Sequence, residues 1–255
     1  MTEQLPVNIM PQPDDWTCGP TCLHAVYRYY GEDVDLGAII DRVPKLDGGG
    51  TLAVLLGCDA LSQGYRARIY TFNLTVFDPS WFRAPGVDIA SKLRAQAEYK
   101  HDLRLRAATA GYLEFLRLGG EFRMVDMSPA LIRKYLVRNV PLLTGLSSTY
   151  LYGERREINP TQEQCDVRGV PQGHFVILRG YDRETKLVRV ADPYLKNPWS
   201  KNLEYEVPIE RVITAILLGV LTYDANLLLI QPASDQHAPN THRKTAATPP
   251  PHTHT

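Results

Sequence analysis

The sequence predicts an α+β fold, on two observations. Apolar residues recur at helical spacing through most of the first half, whereas β-branched and alternating runs dominate the second. No internal repeat interrupts this order. Leu23, Val26, Tyr27 and Tyr30 mark a first helix over residues 22–30, stopped by Gly31. Residues 35–43 read as a second, short helix ended by Pro44. Gly48-Gly49-Gly50 is a loop, after which Thr51 is expected to cap a third helix running to about Ser62. Residues 66–74 alternate as a strand, and Asp78-Pro79-Ser80 is a turn. The charged stretch 88–118 is helical in pattern and closed by Gly119-Gly120. Residues 122–125 form a short strand. Ser128-Pro129 then opens another helix to about Val137, with serine at the cap and proline in the first turn. Residues 141–152 are β-rich. The apolar runs 174–181 and 186–191 flank Asp182-Arg183-Glu184-Thr185 and read as a hairpin. Residues 209–218 form a short helix or mixed segment, and residues 226–230 a last strand.

Composition sets the class. Of 255 residues, 28 are basic and 28 acidic, so there is no electrostatic footprint for nucleic acid or an anionic membrane, and neither is expected as a partner. The longest apolar stretch, around residues 212–221, is broken by Thr214 and Gly219 and is far short of the ~20 residues of a membrane helix. The start, MTEQLPVNIMPQPDD, lacks the basic and apolar regions of a secretory signal. Four cysteines in this length do not make a disulfide framework. A reducing, cytoplasmic location is the expectation. Residues 1–233 read as one domain. Residues 234–255, SDQHAPNTHRKTAATPPPHTHT, contain no large apolar side chain and are expected to be a disordered Pro/Thr/His-rich tail. The tail holds His237, His242, His252 and His254. Metal binding there is an option, but the spacing is irregular and a solvated tail is the expectation.

A nucleophile stands out in Gln12-Pro-Asp-Asp-Trp-Thr-Cys18-Gly-Pro-Thr-Cys22-Leu-His24. Pro20 is well placed as a first helical residue, which puts Cys18 at the helix mouth. Unpaired N–H groups and the positive dipole end favour a thiolate there, and the thiolate is the reactive form. Gly19 keeps the backbone open beside the sulfur. Gln12 lies upstream in an extended, proline-containing loop that can fold back. Its amide and the Cys18 backbone N–H would then make a two-donor oxyanion hole. Cys58 in an apolar helix and Cys165 in a polar loop read as inert. Cys22, one turn into the helix, is a packing residue, a redox partner of Cys18 or a metal ligand. Cys18, Cys22 and His24 are not followed by a second pair at zinc-ligand spacing, so no metal or other cofactor is expected.

A cysteine nucleophile needs a base. Outside the tail the histidines are His24, His101 and His174. His24 lies roughly 600° around the helix from Cys18 and points to another face. His101 sits in the solvated run Lys100-His101-Asp102. His174 opens an apolar strand behind Gly173, which lets another part of the chain approach closely. A two-residue turn centred on Arg183-Glu184 sets His174 opposite Pro193 and beside Asp192. One residue more or less in the loop puts Asp192 directly opposite. Asp192 could then accept the ring N–H of His174 and fix its tautomer.

Gln12, the Cys18-Gly-Pro-Thr-Cys22-Leu run, Gly173-His174 and Asp192-Pro193 resemble the papain-like cysteine peptidase superfamily. Within it they look like cysteine peptidase family 39, the bacterial leader peptidases of bacteriocin exporters, and its stand-alone relatives. The resemblance implies Cys18 as nucleophile, His174 as base, Asp192 as its orienter and Gln12 as an oxyanion donor. It implies a helical N-terminal half packed on a C-terminal antiparallel sheet, with the site in the cleft between them. The sequence carries neither a spanning segment nor a nucleotide-binding motif, so an attached exporter is not expected. Segment 88–118 is larger than a minimal peptidase of this kind needs. Stretches such as Tyr70-Thr-Phe-Asn-Leu74 and Phe77-Asp-Pro-Ser-Trp81 resemble stand-alone relatives that accompany ATP-grasp peptide ligases, which implies peptide processing beside such a ligase. The expected function is a cysteine peptidase acting on a peptide or protein substrate. An acyltransferase or transglutaminase-like enzyme on the same triad and a non-catalytic peptide-binding domain are the alternatives.

Overall fold

A computed structural model describes residues 3–47 and 49–233 of the chain. The expected disordered tail, 234–255, and Gly48 lie outside the described residues.

The helical layer is built around α1 (Cys18–Tyr29), whose residues are all buried except Arg28. A helix apolar all round belongs in the middle of a core. It begins two residues before Pro20, so Cys18 itself is the first helical residue, and the first intrahelical bond runs from Thr21 N to Thr17 O (3.0 Å). Pro20 is tolerated at the third position because the amide it lacks would have no helical partner there. Next comes α2 (Leu36–Arg42), capped by Asp35, whose carboxylate accepts from Ala38 N at 3.0 Å. The expected Thr51 cap of α3 (Ala53–Ser62) is not formed. Thr51 Oγ1 instead donates to Pro44 O (3.0 Å), and Ala53 N donates to Asp224 Oδ1 (2.9 Å), a cap supplied from the other end of the chain.

After β2 (Tyr65–Thr71) and a 3-10 turn (Pro79–Phe82), the stretch 88–118 is two helices, α4 (Ile89–Tyr99) and α5 (Leu103–Arg117). The break follows from Asp102, whose side chain accepts from Leu105 N at 2.8 Å and starts a new helix where Lys100 has turned extended. Then come β3 (Glu121–Arg123) and α6 (Pro129–Leu136), the latter capped by Ser128 as its sequence implies.

The β-rich stretch 141–152 divides. β4 (Leu142–Ser147) is fully buried, but Ser147 then caps the one-turn helix α7 (Ser148–Tyr152), accepting from Tyr150 N at 3.4 Å. A small hairpin, β5 (Glu157–Ile158) and β6 (Glu163–Gln164), precedes the long strand β7 (Gly173–Tyr181). There follow β8 (Leu187–Ala191), β9 (Glu204–Pro208), α8 (Ile209–Leu218), a 3-10 turn (Gly219–Thr222) and β10 (Asn226–Pro232).

The main sheet runs β3-β2-β10-β4-β7-β8-β9, with β1 (Glu3–Gln4) also pairing β7. It is antiparallel except for β2 against β3. Besides β1, two of its strands, β2 and β3, come from the helical first half, because β10 returns to pair along the whole length of β2. The fold is therefore α+β, with the layers sorted by packing rather than strictly by chain order. The hairpin between β7 and β8 has a longer loop than two residues. Tyr181 faces Val188, and a bulge between Leu178 and Gly180 shifts the register to Ile177 facing Ala191.

Candidate active site

Three of the four expected site residues meet where the start of α1 abuts β7. Gly19 makes the approach possible. A Cβ there would lie 2.7 Å from Thr51 Cγ2 and 3.2 Å from the Phe175 ring. One turn on, the Cys22 thiol donates to Phe175 O at 3.3 Å and ties α1 to the strand carrying His174. Cys22 is fully buried, and burial, with the nearby Cys18 and Asp192, pushes its thiol well up. It is a packing residue. Gly173 does admit a close neighbour, since a Cβ there would be 2.7 Å from Thr222 Oγ1.

His174 is 9% exposed and Asp192 is fully buried. His174 Nε2 lies 2.8 Å from Asp192 Oδ1 and donates to it. The ladder between β7 and β8 stops at Ala191, so cross-strand pairing places neither Pro193 nor Asp192 opposite His174, contrary to the expectation from a short hairpin turn. Asp192 reaches the imidazole from the turn beyond the strand, where its own Oδ1 also accepts from Tyr194 N at 2.9 Å. With Nε2 engaged, Nδ1 is the nitrogen left to face the Cys18 sulfur, which lies close enough to act on the ring. Burial by itself lowers the His174 pKa, but the Asp192 carboxylate and the Cys18 sulfur outweigh it and push it up to about 10. Burial likewise opposes ionisation of Asp192. His174, Tyr194 N–H and the Tyr152 hydroxyl together outweigh it and hold the carboxyl below its ordinary value.

Gln12 reaches the same region by a different attachment. The N-terminal segment is strapped across the sheet by Leu5 N to Arg179 O (2.7 Å) and Arg179 Nη1 to Val7 O (3.1 Å). Gln12 N donates to Pro193 O (2.9 Å), beside Asp192. The side-chain amide Nε2 donates to Asp14 O (2.8 Å) within its own loop. A primary amide carries two N–H groups, so one remains for another acceptor.

The other candidates stand apart. His24 is buried on the α1 side and its Nε2 donates to Val34 O (3.1 Å). His101 is exposed. Cys58 packs on α5, donating to Gly111 O (3.6 Å), and burial pushes its thiol up to about 12. Cys165 departs from the inert reading. Its half-exposed sulfur accepts from Arg168 N at 3.3 Å, and this donor with that of Val167 lowers its pKa.

Two further residues were missed in the sequence. Tyr152 Oη and Tyr205 Oη each donate to Asp192 Oδ2 at 2.7 Å. Each reads as a core aromatic, but a buried phenol needs a partner for its hydroxyl. That rule was the only signal in the sequence. Among the described residues no group of three or more His, Cys, Asp or Glu could hold a metal ion, and no helix is long and apolar enough to cross a membrane.

No family model matches the chain, and no curated protein matches it. Solved structures do. A protein described as a C39-like peptidase from Bacillus anthracis aligns over 90% of this chain and 97% of its own, with 15% identity and a TM-score of 0.47. The peptidase domain of Streptococcus ComA, a bifunctional ABC transporter of a quorum-sensing pathway, aligns over 89% and 98%, with 13% identity and a TM-score of 0.40. Xylellain, a cysteine protease from Xylella fastidiosa, aligns over 91% and 86%, with 14% identity and a TM-score of 0.40.

Proposed function

We propose that the chain is a papain-like cysteine peptidase of the C39-like kind, with Cys18 as nucleophile, His174 as base and Asp192 as its orienter. One observation carries the reading. A cysteine that opens a helix meets a buried imidazole whose far nitrogen is held by a buried carboxylate at 2.8 Å. Such a site favours thiolate and imidazolium together, the thiolate by the helix N-terminus and the imidazolium by Asp192.

The Cys18 thiolate adds to the carbonyl carbon of a peptide bond. The oxygen takes up the negative charge, facing the Cys18 N–H and, in this reading, the second N–H of Gln12. His174 Nδ1–H gives its proton to the leaving amine as the C–N bond breaks, which leaves a thioester on Cys18. The now neutral imidazole takes a proton from water, whose oxygen attacks the thioester and releases the acid. Throughout, Asp192 keeps Nε2 protonated and the ring aimed.

The test is a peptide bearing a thiol-reactive electrophile, followed by peptide mapping and a peptide-library cleavage screen. Modification of Cys18 that is lost in His174→Ala, together with cleavage that is lost in Cys18→Ala, supports the reading. Absence of both in the wild-type protein overturns it.

A further inference from the structure

The phenols of Tyr152 and Tyr205 have no part in the chemistry above, yet both end on one oxygen of Asp192, at 2.7 Å each. The other oxygen takes His174 Nε2 and Tyr194 N. Four donors thus surround a carboxylate that water does not reach. Burial pushes both phenols far above their ordinary value, so they keep their protons and can act toward the carboxylate only as donors.

The two hydroxyls are held from a shared support. Tyr152 ends α7, whose last carbonyls are taken by Arg211 of α8: Nε bonds Leu151 O and Nη2 bonds Tyr150 O, both at 2.8 Å. Trp199 Nε1 also donates to Leu151 O (3.2 Å), while its ring stacks on Tyr205 at 6.2 Å and 19°. Tyr205 lies on β9 directly opposite Val190 of β8, two residues before Asp192. The pair is fixed before any substrate arrives.

We propose that Tyr152 and Tyr205 are positioning residues that keep Asp192 anionic and aimed at His174, and so set the pH window in which the Cys18 thiolate and the His174 imidazolium coexist. The proposal rests on Cys18 and His174 being the catalytic pair. Its physics is that of any buried anion. Donors to a carboxylate neutralise part of its field, and removing one raises the proton affinity of the carboxylate and of the groups that face it. Those groups are His174 from β7, Cys22 from α1, Tyr152 from α7, Tyr205 from β9, and Tyr194 from the turn after β8, with Cys18 of α1 facing His174, Cys22 and Tyr152. Tyr194 in turn faces Asp15, Glu154 and Glu157, whose negative charge adds to that of Asp192.

The experiment uses Tyr152→Phe and Tyr205→Phe, each made separately, with Tyr223→Phe as control. Tyr223 also donates its phenol to a carboxylate, Asp102 at 3.0 Å, but on the exposed surface. The rate of Cys18 alkylation by iodoacetamide is measured from pH 4 to 10, with peptide mapping to separate Cys18 from Cys165. Melting temperature is recorded alongside. Both limbs of the Cys18 profile should move to higher pH by roughly half a unit to one unit in each active-site variant, and not in the control. Unshifted limbs in both variants overturn the proposal, and so does a drop in melting temperature with unshifted limbs, which marks a structural role alone. A misfolded variant declares itself by an ordinary free-thiol profile, and the other variant then decides. If wild-type Cys18 itself shows only an ordinary thiol profile, the Cys18–His174 reading fails first, and the phenols have nothing to position.

Discussion

Asp224 gives the protein a pH-dependent stability that can be worked out from its surroundings. The side chain is 5% exposed, and its Oδ1 accepts from Ala53 N at 2.9 Å and from Asn226 Nδ2 at 3.3 Å. Burial pushes its pKa up to about 7, outweighing those donors and the Arg104 charge. In the unfolded chain it titrates at an ordinary carboxyl value of about 3.9. Between the two values the folded state holds a proton that the unfolded state has released, so stability falls as pH rises. The contribution is fully present below the unfolded pKa and gone above the folded one. One proton corresponds to about 1.4 kcal/mol per pH unit, so the loss between pH 5 and pH 8.5 is of order 2–3 kcal/mol. Asp224→Asn mimics the protonated side chain and keeps an oxygen for Ala53 N. Urea unfolding of both proteins from about pH 3.5 to about pH 8.5, at unchanged m, should give nearly equal stabilities at the acid end. The variant should be the more stable above pH 7, with the gap opening from about pH 4 to about pH 7 and then levelling. The difference cancels the titrations the two proteins share, among them that of His24, whose pKa burial lowers. Parallel curves would refute the reasoning.

Four further outcomes are expected. His174→Ala should lower turnover by roughly 10²–10⁴-fold, while His24→Ala leaves it within a few-fold, as initial rates on any cleaved peptide would show. Gln12→Ala should lower kcat by about 10²–10³-fold with little change in KM, and an unchanged kcat would remove Gln12 from the oxyanion site. Asp192→Asn should cost less than His174→Ala, because the amide oxygen can still take His174 Nε2 while its nitrogen meets the two phenol oxygens. Its alkylation profile should lose its alkaline limb at a lower pH than the wild type, since the charge that raises the His174 pKa is gone. Limiting iodoacetamide near pH 6 should modify Cys18 and the half-exposed Cys165 before the buried Cys22 and before Cys58, whose thiol is pushed up, and early labelling of Cys22 would contradict its packing role.

What could be read from the sequence divides by how local its cause is. The helix mouth at Cys18 depends on a few neighbouring residues, and it survives a two-residue error in where the helix begins. The partnership of His174 and Asp192 was reached by a route the fold does not take. The loop is longer than two residues, and a bulge at Arg179 shifts the register again. Pairing ends at Ala191, and a turn closed by Tyr194 N on Asp192 Oδ1 brings the carboxylate back to the imidazole. The hairpin sets the two residues within one turn of each other, and the turn supplies the last few ångströms. Asp224 capping α3 in place of Thr51 has no such local signature, for the two groups lie 171 residues apart. Nor have the phenols on Asp192, one 40 residues before it and one 13 after. Tyr205 stands in the alternation Glu204-Tyr205-Glu206-Val207, which marks its side chain as inward but not what its hydroxyl meets. An inward tyrosine beside a strand that leads to a buried carboxylate has few acceptors to choose from. The donors that hold the orienting carboxylate are therefore to be sought among the aromatic residues of the strands flanking it, where periodicity alone records only hydrophobic bulk.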